Sequence, residues 1–488
     1  MPKANVHTAG TAARTSRERR YALLVCMAGG FIVFMDVSIV NVALPTISSQ
    51  LHASGSLLQW IVSGYSLAFG LLLVPAGRLG DIMGHRMLFV TGLAVFVTAS
   101  AVCGAAPTAA VLVTARIAQG AAGGLLNPQI SATIQQLFQG AERGKAFGYF
   151  ASVVSVGSAI GPLAGGALIA AFGVGAGWRA VFYVNVPVGL ALIPLAARLL
   201  PRHVRTPGRR PGLDLPGAWL LGLGITLVLL PFIQGDWGAW RWWLLLSAAV
   251  VLTAFIRRER RAADPVLDVR LFRNRSYTVG VSVITLYFAA FTPIFFIFTL
   301  MLQLGQGYSA IEAGTAITPF AAGAALSGAI AGSQAARHGR DLVAAGLALM
   351  LAGFLASALA VSLVPHHDTG WAALAPVFVA GIGGGITLAP NQSLTLAAVP
   401  LPQAGAAGGL YQTGQRIGAS IGIAAAGSAF FTTLRGGGSF ADAYRSGIIV
   451  ISAITVPALI LALIDRQRAT APAAILPGTK RAGLRLGG

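Results

Sequence analysis

The feature that most constrains this chain is a succession of apolar blocks, each about 20 residues long, joined by short polar links. A hydrocarbon layer about 30 Å thick takes a helix of roughly that length, and the backbone inside it must bond within its own segment. Fourteen blocks qualify, at approximately 21–43, 57–76, 87–106, 109–131, 146–170, 180–200, 217–235, 241–257, 277–303, 315–335, 342–364, 372–392, 409–432 and 445–465. Just 10% of the residues are charged, against about 25% in soluble domains, so lipid is the expected solvent. The fold class is therefore all-α and integral to a membrane. The first block is too long for a signal-peptide core and has no small-residue cleavage pattern after it, so it is read as a retained helix.

Charge orients the spans. An even count puts both termini on one side, and 28 of the 34 Lys and Arg fall there. Arg179, Arg241, Arg435 and Arg445 fall on the other side, while Arg116 and Arg416 lie inside spans. Such a bias marks the cytoplasmic face, so both termini are expected in the cytoplasm and the protein in the inner (cytoplasmic) membrane. The formal charge of +20 is thus a topology signal, and no nucleic-acid partner is expected. Omitting the pair at 217–257 would leave this parity unchanged. Cys26 and Cys103 lie inside apolar blocks and say nothing about disulfides.

The glycines reveal a repeat. Gly120, Gly123, Gly124, Gly144, Gly148, Gly157, Gly161 and Gly166 recur, at a constant shift of 261, as Gly381, Gly384, Gly385, Gly405, Gly409, Gly418, Gly422 and Gly427. Chance would give about two such matches. Gly77 and Gly84 recur more loosely as Gly332 and Gly339. Small residues at close helix contacts are common in membranes, but a fixed register through a loop and two helices asks for duplication. Two parallel six-helix bundles with two extra helices between them give the shift, an arrangement used for alternating access. The expected layout is a basic tail (1–20), a first bundle (21–200), two linker helices (217–257), a basic cytoplasmic loop (258–276), a second bundle (277–465) and a tail (466–488).

Five motifs carry a family resemblance. The loop after the second span reads Gly77-Arg-Leu79-Gly80-Asp81-Ile-Met-Gly84-His85-Arg86-Met-Leu88. The fourth span holds Leu112-Val-Thr-Ala-Arg116-Ile-Ala-Gln119-Gly120, and the fifth Gly157-Ser-Ala-Ile-Gly161-Pro162-Leu-Ala-Gly165-Gly166. Met35-Asp36-Val-Ser-Ile-Val-Asn41-Val-Ala-Leu-Pro45 lies in the first span, and Trp178-Arg179-Ala-Val-Phe182-Tyr-Val-Asn185-Val-Pro187-Val-Gly189 enters the sixth. In this order they resemble the major facilitator superfamily, and within it the fourteen-helix drug:proton antiporters of the multidrug efflux type. That resemblance implies export of drugs, dyes or antibiotics, including self-protection of a producing organism. It also implies a conformational latch at Gly77, Asp81, Gly84 and Arg86, and an antiporter helix bend at Gly157, Gly161, Pro162, Gly165 and Gly166. His85 departs from the usual Arg. Ala336 stands where the second-half loop would carry Asp, so one latch is expected.

The residues support a mechanism of their own. Asp36 lies deep in the first span, and an ionisable group at that depth by default marks an ion path. Low dielectric penalises its charge, which makes it a group able to load and release a proton. Arg116 cannot be deprotonated and must find an acceptor; Asp36 is a candidate, so the two form the expected proton-coupling pair. Pro162 removes a helix hydrogen bond and has Ile423 as its counterpart in the second half. A substrate cavity is expected from Asn41, Gln119, Tyr287, Phe291, Phe295, Tyr411, Gln412, Gln415 and Arg416, although Arg416 could also reach toward the interface and phenylalanines also face lipid. An aromatic wall with a few amides suits bulky amphipathic small molecules rather than sugars, which require many convergent hydrogen bonds. His366, His367 and Asp368 share a short loop without further ligands and are not read as a metal site. No cofactor is expected beyond the proton gradient as energy source, and the working unit is taken as a monomer. A facilitator or importer on the same scaffold is the nearest rival. A membrane enzyme is disfavoured by 14 acidic residues with no D-x-x-D pair, and a non-transporting membrane sensor would have no need of Asp36 at midplane.

Overall fold

The computed structural model describes residues 15–202, 212, 214–233, 238–364 and 369–470, and every regular element among them is helical. The first helices are α1 (Ser16–Leu51), α2 (Gly55–Met83), α3 (His85–Ala105) and α4 (Ala109–Leu137). They are followed by α5 (Gly140–Gly173) and α6 (Gly175–Leu199), then α7 (Leu215–Ile233), α8 (Trp243–Glu259) and α9 (Arg275–Gly305). Ala310–Leu363 is one helical run bent at His338 (φ −124°, ψ 17°), and its arms, 310–337 and 339–363, are α10 and α11. The run is long enough to cross a hydrocarbon layer twice. The described chain ends with α12 (Thr369–Ala397), α13 (Ala404–Arg435) and α14 (Phe440–Thr470). The protein is thus a multi-pass membrane protein whose described residues make fourteen span-length passes, with Ser16 and Thr470 at the same end, here called the terminal end.

Several helices overrun the apolar blocks, as α1 does by continuing to Leu51. Length needed to cross lipid sets only a minimum; capping sets the ends, as with the Thr15–Glu18 box that opens α1. The two halves also break differently at equivalent turns. Gly84 (φ 101°, ψ 130°) separates α2 from α3 in a conformation that side chains avoid. Its counterpart Gly339 keeps helical geometry, so α10 runs into α11 with a bend alone. The 258–276 segment is less a free linker than its charge suggests. Val266 and Leu267 are buried, and Glu259 accepts their backbone N–H groups at 3.3 and 3.2 Å.

Interhelix contacts reproduce the repeat. A Cβ on Gly77 would strike the Gly405 carbonyl, and one on Gly144 would strike the Gly332 carbonyl. Exchanging the halves turns the first pair into the second. Leu73–Gly409 and Gly328–Gly148 obey the same exchange, as do Tyr65–Gly120 and Phe320–Gly381 within the halves. Gln392 reaches the Ser131 hydroxyl at 3.4 Å, and these residues stand 261 apart, so each touches its own equivalent. Such a contact must straddle the pseudo-two-fold axis. The fold is therefore two six-helix bundles, α1–α6 and α9–α14, and the two extra helices are central in sequence alone. In space α7 lies beside the seam, with Gly222 against Leu71 of α2 and Gly70 against Leu229, and α8 packs outside it.

Candidate functional site

Asp36 is fully buried inside the first half, where four helices supply its surroundings. Its Oδ2 accepts from Arg116 Nη1 at 2.6 Å, and its Oδ1 from Gln119 Nε2 at 2.9 Å and Asn185 Nδ2 at 2.7 Å. Arg116 Nη1 also donates to Gln119 Oε1 at 2.7 Å, and its Nε to the Ile61 carbonyl at 3.2 Å. Ser100 accepts from Gln119 and Asn185, both at 3.1 Å, and donates to the Phe182 carbonyl. The Tyr65 ring lies 4.1 Å from the Arg116 guanidinium. Arg116 and Gln119 sit three apart on α4, one helical turn, which puts both side chains on the face turned to α1.

The structure thus brings Asp36 and Arg116 together, but inside one bundle rather than on a wall between the two. Ile39, Ile61, Leu112, Trp178 and Phe182 form an apolar cluster covering the pair on the side away from the terminal end. Gln119 joins the carboxylate network and lines no substrate surface. Asn185 and Ser100 complete the network beyond the site residues expected from the sequence, where the available signal is an amide at the entry of an apolar helix. On its other side, the Asp36 segment touches α5: Gly157 packs on Phe31 and Met35, Gly161 on Met35, Ser38 and Ile39, and Gly165 on Ile39. Gly166 is buried in the same helix. α5 stays helical through Pro162, and its backbone departs at Gly173 (φ 73°) instead. Pro162 and Leu163 turn toward Gly314 of α10, across the seam.

At the terminal end the halves are clasped. Asp81 accepts the backbone N–H groups of Gly405 (2.9 Å) and Ala406 (3.1 Å) at the start of α13. A carboxylate there also meets the positive end of the helix dipole. His85 Nε2 lies 3.5 Å from Asp81 Oδ1, and its Nδ1 2.8 Å from Gln129 Oε1, so the unusual histidine braces the carboxylate within α2–α4. Arg86 is partly exposed and makes no ion pair with Asp81. Gln412 adds to the clasp by donating to Ser131 Oγ at 3.1 Å. Gly77–Gly405 and Gly144–Gly332 bring backbone against backbone at this end. Near the opposite end, Gly314 meets side chains of the other half instead.

The remaining cavity candidates divide. Tyr287 is buried and stacks on Phe291 (5.2 Å), which meets Phe295 (5.5 Å) and Phe320 (5.0 Å), a cluster belonging largely to the second half's own core. Tyr411 is buried too and accepts from Asn391 at 3.2 Å. Gln415 is partly exposed and Asn41 exposed. Arg416 faces the first half, its guanidinium 4.2 Å from the Phe69 ring and 5.9 Å from that of Phe34. No group of metal-binding side chains occurs among the described residues, and His366, His367 and Asp368 lie outside them.

Comparisons with known proteins agree with this geometry. The probable actinorhodin transporter of Streptomyces coelicolor is 36% identical over 428 residues, covering 85% of this chain and 73% of that one. The cephamycin export protein CmcT of Amycolatopsis lactamdurans is 36% identical over 423 residues, covering 85% of each. Among solved structures, the proton:xylose symporter XylE superposes with a TM-score of 0.67 at 16% identity, covering 92% of this chain and 96% of that one. The model of the Major Facilitator Superfamily matches residues 26–423 and again 278–482. A duplicated six-helix bundle, clasped at one end through Asp81 and matched over most of its length by that model, places this chain in the Major Facilitator Superfamily, as a membrane transporter and not an enzyme.

Proposed function

We propose that the protein is a proton-driven antiporter that exports bulky amphipathic compounds, working by alternating access in the cytoplasmic membrane. The observation that carries the reading is the Asp36–Arg116 pair at 2.6 Å. Among the described residues, every other acid lies near a helix end or in a connecting segment. Moving one charge through 100 mV supplies about 2.3 kcal/mol, and a group inside the membrane is needed to collect it. Both termini are assigned to the cytoplasm on the charge bias, so the clasped end is cytoplasmic and this conformation faces outward. A single chain supplies both halves, so one copy suffices.

A mechanism follows from the contacts. With Asp36 ionised, Arg116 is satisfied and α1 is held to α4 and α6. A proton arriving on Asp36 removes the counter-charge, and Arg116 must be re-satisfied elsewhere. α1 then shifts against Gly157, Gly161 and Gly165 of α5, and the motion passes to α10 through Pro162–Gly314 and Gly144–Gly332. The Asp81 clasp opens, the cavity faces the cytoplasm, substrate enters, and the proton leaves inward. The relative named a cephamycin export protein supports the outward direction. The symporter-like fold alone is neutral on it.

Everted vesicles test the proposal. Vesicles holding the wild type take up a panel of dyes and antibiotics when an inward-acid gradient is imposed, and a protonophore abolishes uptake. Asp36→Asn removes gradient dependence. Uptake that ignores the gradient, or an Asp36→Asn protein that still follows it, overturns the coupling.

A further inference from the structure

On α13, residues 405, 409, 412 and 416 fall on one helical face. Gly405 and Gly409 touch α2, Gln412 touches α4, and Arg416 lies over Phe69 of α2 and Phe34 of α1. Arg416 is the last of this stripe, about 18 Å along α13 from Ala404. Gly414, Gly418 and Gly422, on another face of α13, pack on α9 in the same half, so the stripe that ends at Arg416 is the face turned to the first half. It is partly exposed, and no carboxylate bonds to it among the described residues.

The charge balance of the membrane interior is then simple. Asp36 and Arg116 neutralise each other in their sealed network. Asp81, Glu142, Glu259, Glu312, Asp341, Asp442 and Asp465 all sit near helix ends. Arg416 keeps its proton at any physiological pH, so among the described residues it is one uncompensated positive charge on the seam, away from the helix ends. Two aromatic faces stabilise a guanidinium but leave its five donors without acceptors. Gln412, one helical turn before it on the same face, has a buried Oε1 without a hydrogen-bond partner in the structure, as has the Tyr65 hydroxyl on α2. Phe69, the ring under Arg416, stacks on Tyr65 at 6.0 Å, and the Tyr65 ring lies 4.1 Å from the Arg116 guanidinium.

We infer that Arg416 is the charge-selecting residue of the substrate path, and that the path takes aromatic anions in preference to lipophilic cations. A carboxylate or sulfonate would accept from the guanidinium, and an attached ring system would pack on Phe34 and Phe69. A cation in that position would face Arg416 with no acid to offset it. The inference rests on the reading that substrate passes between the halves, and it names the class of substrate that does so. Because Phe69 under Arg416 stacks on the Tyr65 ring that covers Arg116, an anion on Arg416 would be linked to the proton-coupling pair through two stacked rings.

The test uses one ring system with three charges: pyrene-1-carboxylate, 1-pyrenemethanol and 1-pyrenemethylammonium. Binding to the full chain is measured by fluorescence anisotropy in nanodiscs of phosphatidylcholine, and again in nanodiscs containing phosphatidylglycerol. We expect the carboxylate to bind about ten- to a hundredfold more tightly than the ammonium, the range for a hydrogen-bonded charge withdrawn from water. Arg416→Gln brings that ratio close to one, and Arg416→Lys retains part of it. An ammonium preference in the wild type overturns the inference. So does an Arg416→Gln protein in which all three affinities fall together, which is the signature of a residue that merely holds the halves. Loss of the carboxylate preference in phosphatidylglycerol alone would assign Arg416 to a lipid headgroup and likewise overturn it. If Arg416→Gln does not fold, Arg416→Lys and the wild-type charge series still decide. Gradient-driven uptake of the same three probes is scored separately. Absence of all transport with the binding preference intact refutes the exporter reading and leaves the charge selection standing.

Discussion

The Asp36–Arg116 pair makes a quantitative prediction through a double-mutant cycle. Replacing Asp36 by Asn leaves Arg116 fully buried without a counter-charge, and breaking a buried pair in this way costs about 3–5 kcal/mol. The amide also presents an NH2 group where the carboxylate had accepted from Arg116, Gln119 and Asn185, so one donor finds another donor. Arg116→Met strands the carboxylate and costs a similar amount. Together the two substitutions remove both charges while roughly conserving volume, and a buried pair replaced in this way is often close to neutral. The expected coupling is therefore several kcal/mol, well above the roughly 0.5 kcal/mol within which independent sites add. Unfolding of the four proteins by increasing sodium dodecyl sulfate in mixed micelles, followed by tryptophan fluorescence, measures it. Trp178 lies in the apolar cluster covering the pair and reports on its loss. Costs that add within 0.5 kcal/mol would show that the two charges do not depend on each other, and the mechanism built on their separation would fail. The double mutant should also fold yet show no gradient-driven transport, separating the structural role of the pair from its use.

Two further outcomes concern the clasp. Asp81→Asn removes the charge from two backbone N–H bonds and from the α13 dipole, about 1–3 kcal/mol, so spin-label distances between α2 and α13 at the terminal end should broaden toward an open population; an unchanged distribution refutes the latch. Gly332→Ala would drive a methyl into the Gly144 carbonyl and should part the halves at that end while sparing each half, whereas Gly120→Ala strikes the Tyr65 carbonyl inside the first half and should lower thermal stability; equal effects of the two on the α5–α10 label distance would refute the assignment of Gly332 to the seam.

The span-length helices and the duplication were legible in the chain because each depends on local composition or spacing. A span needs apolar length, and a repeat keeps its glycines wherever two backbones must approach. Gly77, Gly144, Gly332 and Gly405 form a pattern along the chain, and the fold makes them meet one another. Asp36 was legible as an unusual carboxylate, and Arg116 as a cation in need of an acceptor. Gln119 was misplaced for a physical reason: a buried amide serves a cavity wall and a carboxylate network equally well, and only the rotation of α4 against α1 selects between them.

Other features were decided in three dimensions. Asn185, Ser100 and Tyr65 come from three further helices, and no spacing along the chain brings them to Asp36. The continuity of α10 into α11 depends on His338 bending where Gly84 breaks, although both turns keep the same glycine register. The isolation of Arg416 is likewise a tertiary fact, since whether a cation is paired depends on which helix faces it. Sequence by itself determined what each helix had to bury. Tertiary structure decided with whom, because contacts between helices far apart in the chain are set by their rotation and depth, and neither is encoded by periodicity alone.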